Sequence, residues 1–455
     1  MFRPAVLRPA VFPAIFPFAA VARSTGLRAD FPMIRALPRL SEKALHFPTI
    51  MFPRLLAGLL LLAPLQLSAE GAEVLSYATL PGRVRASNPD LAAARLRIRE
   101  ALGRMKQAGR PSNPQLETGF EHDSRFREGR IEIGISQSFP VTKRLQLEKQ
   151  VSLAAVEAAE AEVRDVERRL VAEARDAFVR VLAIRSRREL LREQEALSGK
   201  LADFISAAAE KGEGSPLDAG QARLEAARMA TEARKLDAEE AAATGELKPL
   251  LGLPPAANLH LSGTLGEVAL PPGGKAFRRP DLEAARLEAQ AAGGEIAVEQ
   301  SKRREDVEAG VFAAAERSED APEGLETEAI VGIRFKLPLP FWNKNEGAID
   351  EAIARSERKD KEAAALADNI RHQAATARAE MEQWAAMIGE LDGKLLPLAT
   401  EQTARTETAW RDGQGELQAV LRAREQSLEL RAARLDALRE FHLARVRYEA
   451  ATGNP

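Results

Sequence analysis

Four stretches of the chain alternate between apolar and polar positions, and long helical patterns fill most of the remainder. In "QLETGFEH" (115–122), Leu116, Thr118 and Phe120 share one face, with Gln115, Glu117 and Glu121 on the other. In "RIEIGISQSF" (130–139), Ile131, Ile133, Ile135 and Phe139 oppose Glu132, Gly134, Ser136 and Ser138. Later, "DVEAGVFA" (306–313) sets Val307, Ala309, Val311 and Ala313 against Asp306 and Glu308. "ETEAIVGIRFKL" (326–337) sets Val331, Ile333, Phe335 and Leu337 against Glu328, Arg334 and Lys336. Period two over these lengths predicts four strands, joined in pairs as hairpins over 114–139 and 306–337.

Each hairpin closes on a proline, Pro140 or Pro338, and a helical pattern follows. Residues 142–211 contain no proline and one glycine, Gly199, which predicts a rod of about 100 Å at 1.5 Å per residue. The second stretch, 346–411, is of similar length, but Pro397 and the two glycines shortly before it, Gly389 and Gly393, should bend or interrupt it. Turns at "KGEGSP" (211–216) and "RDGQGE" (411–416) lead into return helices that end on "LKPLLG" and "RYEAATG". The helices before the hairpins also match: "NPDLAAARLRIREA" (88–101) and "RPDLEAARLEAQAA" (279–292) agree at eight of fourteen positions. The spacing of matched landmarks drifts from 191 at the two PDL segments to 201 at Gly252 and Gly453. This reads as an internal two-fold repeat, 73–252 and 279–453, far longer than the 20–50 residues of a solenoid unit. The Pro/Gly-rich segment 253–278 links the halves.

Composition narrows the class. Charged residues make up 29% of the chain with a net charge of -2, which argues against nucleic-acid binding. Aromatics are 5%, while alanine-rich apolar stripes suit close helix approach in a wide tube better than a thick core. Cysteine is absent, so neither a disulfide framework nor a thiolate metal site is available. The five histidines are scattered, and no HExxH, P-loop or dinucleotide-binding sequence occurs; no cofactor, metal site or catalytic group is expected. Residues 1–50 read as a disordered or mis-assigned leader. Met51 then opens "MFPRLLAGLLLLAPLQLSAEGAE", a positive end, a short apolar stretch and small residues at Ala69 and Ala72, which is the grammar of a signal peptide over 51–72. An exported chain with such strands suggests an outer-membrane barrel with apolar residues toward lipid, although ordinary half-exposed hairpins share the pattern. Four strands cannot close a barrel, since about eight are needed; a spanning sheet would therefore oblige several chains to share one.

Taken in order, the signal peptide, the duplicated helix–hairpin–rod–return units, the PDL openings, "PLPFWNKNEGAIDEA" and the closing "YEAATG" resemble the outer-membrane factor family of the TolC type. The wording "LPLPFWNKNEGAI" is most similar to its CzcC-like heavy-metal branch. The resemblance implies a mainly α fold with a small β part. Three identical chains would form a 12-strand barrel, four transmembrane strands from each, continued by a long α-helical coiled-coil barrel in the periplasm. It implies a passive duct, not an enzyme, working with a periplasmic adaptor and an inner-membrane RND pump. Ile131, Ile133, Ile135, Val331, Ile333 and Phe335 would face outer-membrane lipid, and Glu132 on the lumen side should tolerate substitution.

The two turns would form the periplasmic tip, which makes Gly212, Asp218, Trp410, Asp412, Gly413, Glu416 and Arg422 candidates for the gate. Trp410 occupies the position of an aromatic found three residues before the turn glycine. Ala419 and Arg422 stand where the family commonly places a ring of aspartates. Drug efflux and type I protein secretion are further cargo classes for such a duct. A periplasmic coiled-coil adaptor is the reading from another class, but it should carry a lipoyl-like β region and one hairpin rather than two equivalent ones.

Overall fold

The computed structural model describes residues 74–272, 278–320, 322 and 324–453. The leader and signal segment (1–72) and residues 273–277 of the linker lie outside the described residues. A two-residue strand β1 (Val74–Leu75) leads to α1 (Leu80–Ser87) and α2 (Pro89–Gln107), then to a hairpin of β2 (Gln115–His122) and β3 (Gly129–Phe139). The rod α3 (Arg144–Glu210) and return helix α4 (Pro216–Leu250) follow, and then β4 (His260–Leu261). The same order resumes with α5 (Pro280–Ser301), β5 (Val307–Asp320) and β6 (Gly324–Lys336). After β6 come α6 (Glu346–Glu390), a π-helical turn (Leu391–Leu395), α7 (Leu396–Arg411) and α8 (Leu417–Thr452).

Local chemistry sets the element ends. Pro89 occupies the first turn of α2, where its missing N–H costs nothing. Asn88 caps the helix by accepting from the Leu91 amide at 2.9 Å, while its own amide donates to the Leu250 carbonyl at 2.9 Å. Pro280 opens α5 in the same way, but Arg279 replaces the cap and instead pairs with Asp281 and donates to Gln373 at 2.7 Å. Each return helix ends on a left-handed glycine, Gly252 (φ 64°) and Gly453 (φ 72°). A Cβ on Gly252 would stand 2.0 Å from the Ser87 carbonyl oxygen, and one on Gly453 would stand 2.3 Å from that of Arg278. The chain needs glycine at both places because the end of a return helix touches the start of a PDL helix.

The second rod is not broken at Pro397. The chain widens one turn before it, so that the Leu396 amide donates to Leu391, five residues back, and Pro397 falls in the first turn of α7. A π turn of this kind absorbs the proline ring without ending the helix.

The strands form one antiparallel sheet in the order β2-β3-β5-β6, so the two hairpins join through β3 and β5 while β2 and β6 lie at its edges. At the other level of the molecule, β1 pairs in parallel with β4. The largest core gathers there around Leu75, Leu80, Leu91, Phe178, Leu247 and Leu251, from α1 to α4. A second core, around Met381, Ile388, Leu438 and Phe441, joins α6 to α8.

Candidate functional site

Two regions place the residues singled out above, the sheet and the pair of turns. In the sheet, register sets Leu116, Ile135, Val311 and Ile333 in one transverse row and Thr118, Ile133, Ala313 and Val331 in the next. Ile131 sits opposite Phe120. Ile131, Ile133, Ile135, Val331, Ile333 and Phe335 are all exposed, so one whole face of the sheet is apolar and uncovered within the chain.

The other face is polar and internally bonded. Arg334 donates to Glu117 at 3.0 Å and to Glu132 at 2.5 Å, Arg130 donates to Glu132 at 2.7 Å, and the Ser136 hydroxyl donates to Glu117 at 2.8 Å. Phe312 lies among them, its ring centroid 4.9 Å from the Arg334 guanidinium and 5.9 Å from that of Arg130. Gly134 and Gly332 make room for it: a Cβ at Gly332 would come 2.5 Å from Phe312 Cζ. Glu132 is therefore a keystone between two arginines, with only 14% of its side chain exposed, rather than a freely replaceable lumen residue. The one signal for Phe312 in the sequence is the pair of glycines, Gly134 and Gly332, inside otherwise regular strands.

The two turns are built alike. Gly212 (φ 75°) and Gly413 (φ 74°) supply the left-handed residue after α3 and α7. The Glu213 amide donates to Ala208 at 2.9 Å and the Gln414 amide to Ala409 at 2.8 Å, the six-to-one bond of a Schellman cap. Beneath the turns Trp410 meets Phe204 edge to face at 6.1 Å, and Leu417 packs with Ala202, Ile205, Ala219 and Ala222. Asp412, Glu416 and Arg422 are exposed and Asp218 half-buried, and among the described residues none of the four forms an ion pair.

Other groups cross-link this end of the molecule. Arg424 grips Glu407 between α7 and α8, Nε at 2.7 Å and Nη2 at 2.6 Å, and its Nη1 is buried without a hydrogen-bond partner. Arg228 on α4 reaches Glu425 on α8 at 3.2 Å, and Gln418 donates to Gln221 at 2.9 Å. Charge pairs of this kind were invisible in a chain so dense in arginine and glutamate.

Where the halves meet, the Tyr77 hydroxyl donates to Glu449 at 3.1 Å, and Arg175 and Arg445 approach the same carboxylate at 3.3 and 2.9 Å. Burial, reinforced by Glu449, pushes the Tyr77 hydroxyl above its ordinary range. His442 beside them bonds the Gly266 carbonyl at 3.0 Å, and burial holds its imidazole below the ordinary 6.5. Among the described residues no cluster of histidine and carboxylate side chains could hold a metal ion, and no helix is long and apolar enough to cross a membrane.

Residues 80–252 match a family model described as outer membrane efflux protein. A comparison with curated proteins finds no match. Among solved structures the chain is similar to the CusC transmembrane channel, at 18% identity over 83% of this chain and 92% of that one, with a TM-score of 0.70. It is similar also to the outer-membrane channel OprN, at 18% identity over 83% and 90% with a TM-score of 0.67. The outer membrane protein VceC of Vibrio cholerae matches at 18% identity over 83% and 96%, again with a TM-score of 0.67. At these identities the likeness is one of fold, and the fold is that of outer-membrane efflux channels.

Proposed function

We propose that the chain is one of three identical subunits of an outer-membrane channel, an internally duplicated protein whose two hairpins enter a shared 12-strand barrel. The sheet carries this reading. It offers an uncovered apolar face and two unpaired edge strands, β2 and β6, which a chain in a membrane cannot leave open. Joining β6 of one subunit to β2 of the next closes a ring with no edges, a head-to-tail contact of the kind that generates cyclic trimers. Uncovered leucines on α4 (Leu217, Leu224) and α7 (Leu398) suit the same neighbour contact along the helices. The rods then line a periplasmic tunnel and the two turns form its tip, with Gly212, Asp218, Trp410, Asp412, Gly413, Glu416 and Arg422 around the axis.

The channel serves an RND pump through a periplasmic adaptor, and heavy-metal cations are the favoured cargo on the strength of the segment "LPLPFWNKNEGAI". Drug efflux is the second reading. The protein should fractionate with the outer membrane and migrate as a trimer that dissociates only on heating. A monomer released with the soluble periplasm would overturn the proposal. Deleting the gene should sensitise cells to divalent metals; sensitivity confined to drugs would keep the channel and reassign its cargo.

A further inference from the structure

The segment between β6 and α6 presents two large aromatic rings to solvent. Trp342 is 95% exposed, and Phe341 packs against it edge to face at 6.2 Å. Loops that display such side chains are usually loose, but this one is braced. The Asn345 backbone is left-handed (φ 59°), its amide donates to the Glu299 carbonyl and carboxylate, both at 2.9 Å, and the Asn345 N–H bonds the Asn343 side chain at 2.9 Å. The Lys302 ammonium and the Asn345 amide together hold the Glu299 carboxyl below its ordinary range, so the brace carries charge. An uncovered pair of aromatic rings beside a braced turn implies a surface that receives it.

The position identifies that surface. The apolar face of the sheet continues past the strand end through Leu337, Leu339 and Phe341, all exposed, and across the sheet through Phe139 and Val141. The opposite end of the same face carries Phe120 and Phe126, joined through His122 at 5.3 and 3.9 Å. Ile131, opposite Phe120, and Phe139 are eight residues apart on β3, about 26 Å along a strand and about 20 Å once tilted as barrel strands are. Adding the segment to Trp342 brings the span to the roughly 25 Å of a barrel's apolar band, which aromatic girdles flank on both sides. Lys143 and Lys344, both exposed and without an ion pair among the described residues, stand at the same end and suit lipid phosphates.

We infer that Phe341 and Trp342 are a membrane anchor, seated at the headgroup level of the periplasmic leaflet, and that the braced segment fixes how deeply the barrel sits and where the helical rods begin. The inference rests on the channel reading above. The partner is phospholipid, and a neighbouring subunit covering the rings is the competing outcome.

The test uses the full chain with Trp384→Phe and Trp410→Phe, which leaves Trp342 as the sole tryptophan, in vesicles of phosphatidylethanolamine and phosphatidylglycerol. Lipids brominated near the glycerol should about halve its emission, more than lipids brominated near the chain end, as expected for a ring at headgroup depth. Aqueous iodide should have little effect. Emission that bromolipids leave untouched, whether iodide quenches it or not, overturns the anchor. If the double variant does not assemble, wild type is compared with Trp342→Phe, and the single change should remove the bromolipid-sensitive part of the emission; no change overturns the inference. A Trp-free chain carrying Ile333→Trp separates the two readings. Quenching by deep bromines upholds the barrel even where Trp342 fails, whereas no quenching there removes the barrel and the anchor together.

Discussion

The two rods span almost the same number of residues and are built in opposite ways. The first, α3, is one uninterrupted helix that buries residues along its length, Ala154 to Ser206, against α2, α4, α5 and α8. The second is assembled from α6, a π turn and α7, and α7 buries no residue within the chain and packs mainly on α8 and the adjoining π turn, touching α3 through Trp410 and Phe204. Thr400, Thr403, Thr406 and Thr408 each turn a hydroxyl back to the carbonyl four residues earlier, at 2.8 to 3.0 Å. Such bonds bend helices slightly, and no counterpart forms in α3 among the described residues. A helix gripped on several sides can be straight, while one whose packing waits for a neighbour needs local devices that set its curve. The first rod is held on several sides along its length, and the second is held along α6 but left largely uncovered along α7.

If both halves face one lipid band, charge should hurt them equally. Ile133→Arg and Val331→Arg lie in one row of the sheet, and each should cost about 2–4 kcal/mol per chain at mid-membrane depth, enough to abolish assembly when tripled. Trimer yield after refolding into bilayers measures this. Glu121→Arg, an exposed position on the polar face, should assemble normally, and a large difference between the first two variants would mean that the hairpins sit at different depths.

The rods themselves come next. Gly199→Pro inside α3 should destabilise by about 2 kcal/mol, the difference between proline and glycine in a helix interior. Pro397→Ala, which restores a donor in a turn already adapted to its absence, should shift the protein's melting temperature little. Equal losses from the two would refute the contrast between the two rods.

Within the sheet, Gly332→Ala drives a Cβ into the Phe312 ring and should cost about 1–3 kcal/mol, as overpacking does. Gly119→Ala, whose Cβ would stand 3.6 Å from that of Glu132, should be nearly silent. Denaturant titration of the two variants distinguishes them.

At the tip the effect is on conduction rather than stability. Arg422→Ala, or Asp218→Asn with Asp412→Asn, should raise single-channel conductance in planar bilayers if those charges meet only between subunits, since none pairs within a chain. Unchanged conductance with intact trimers would remove them from the gate.

The smallest effect concerns pH. Burial lowers the His442 pKa in the folded chain, so the unfolded chain takes up its proton first. Stability present above about pH 6.5 should therefore decline as pH falls below it, and His442→Gln should flatten that slope in a pH series of melting temperatures.

Much of this was legible in order along the chain. Period-two alternation placed β2, β3 and β6 to within two residues of their observed ends, because a strand with one apolar face can only be written that way, whereas β5 runs on to Asp320, seven residues past the alternating stretch that ends at 313. The absence of proline from 142–211 predicted α3, and the glycines at 212, 413, 252 and 453 marked turns whose left-handed backbone few other residues tolerate. The PDL openings announced two helix starts. What chain order could not reveal was which strand meets which. Hairpins follow from short loops, but the pairing of β3 with β5 joins residues far apart in sequence, and only that pairing assembles the apolar rows and brings Glu132 beneath Arg334. Phe312 became visible only when Gly134 and Gly332 stood on either side of it. The rescue of the second rod by a π turn was equally hidden, since proline forbids a bond without saying how the chain will go around it. Sequence by itself determined the elements and their faces, because those depend on neighbours two to four residues away. Tertiary structure decided the partners, the keystone charges and the uncovered surfaces, because those depend on which distant residues share a place in space.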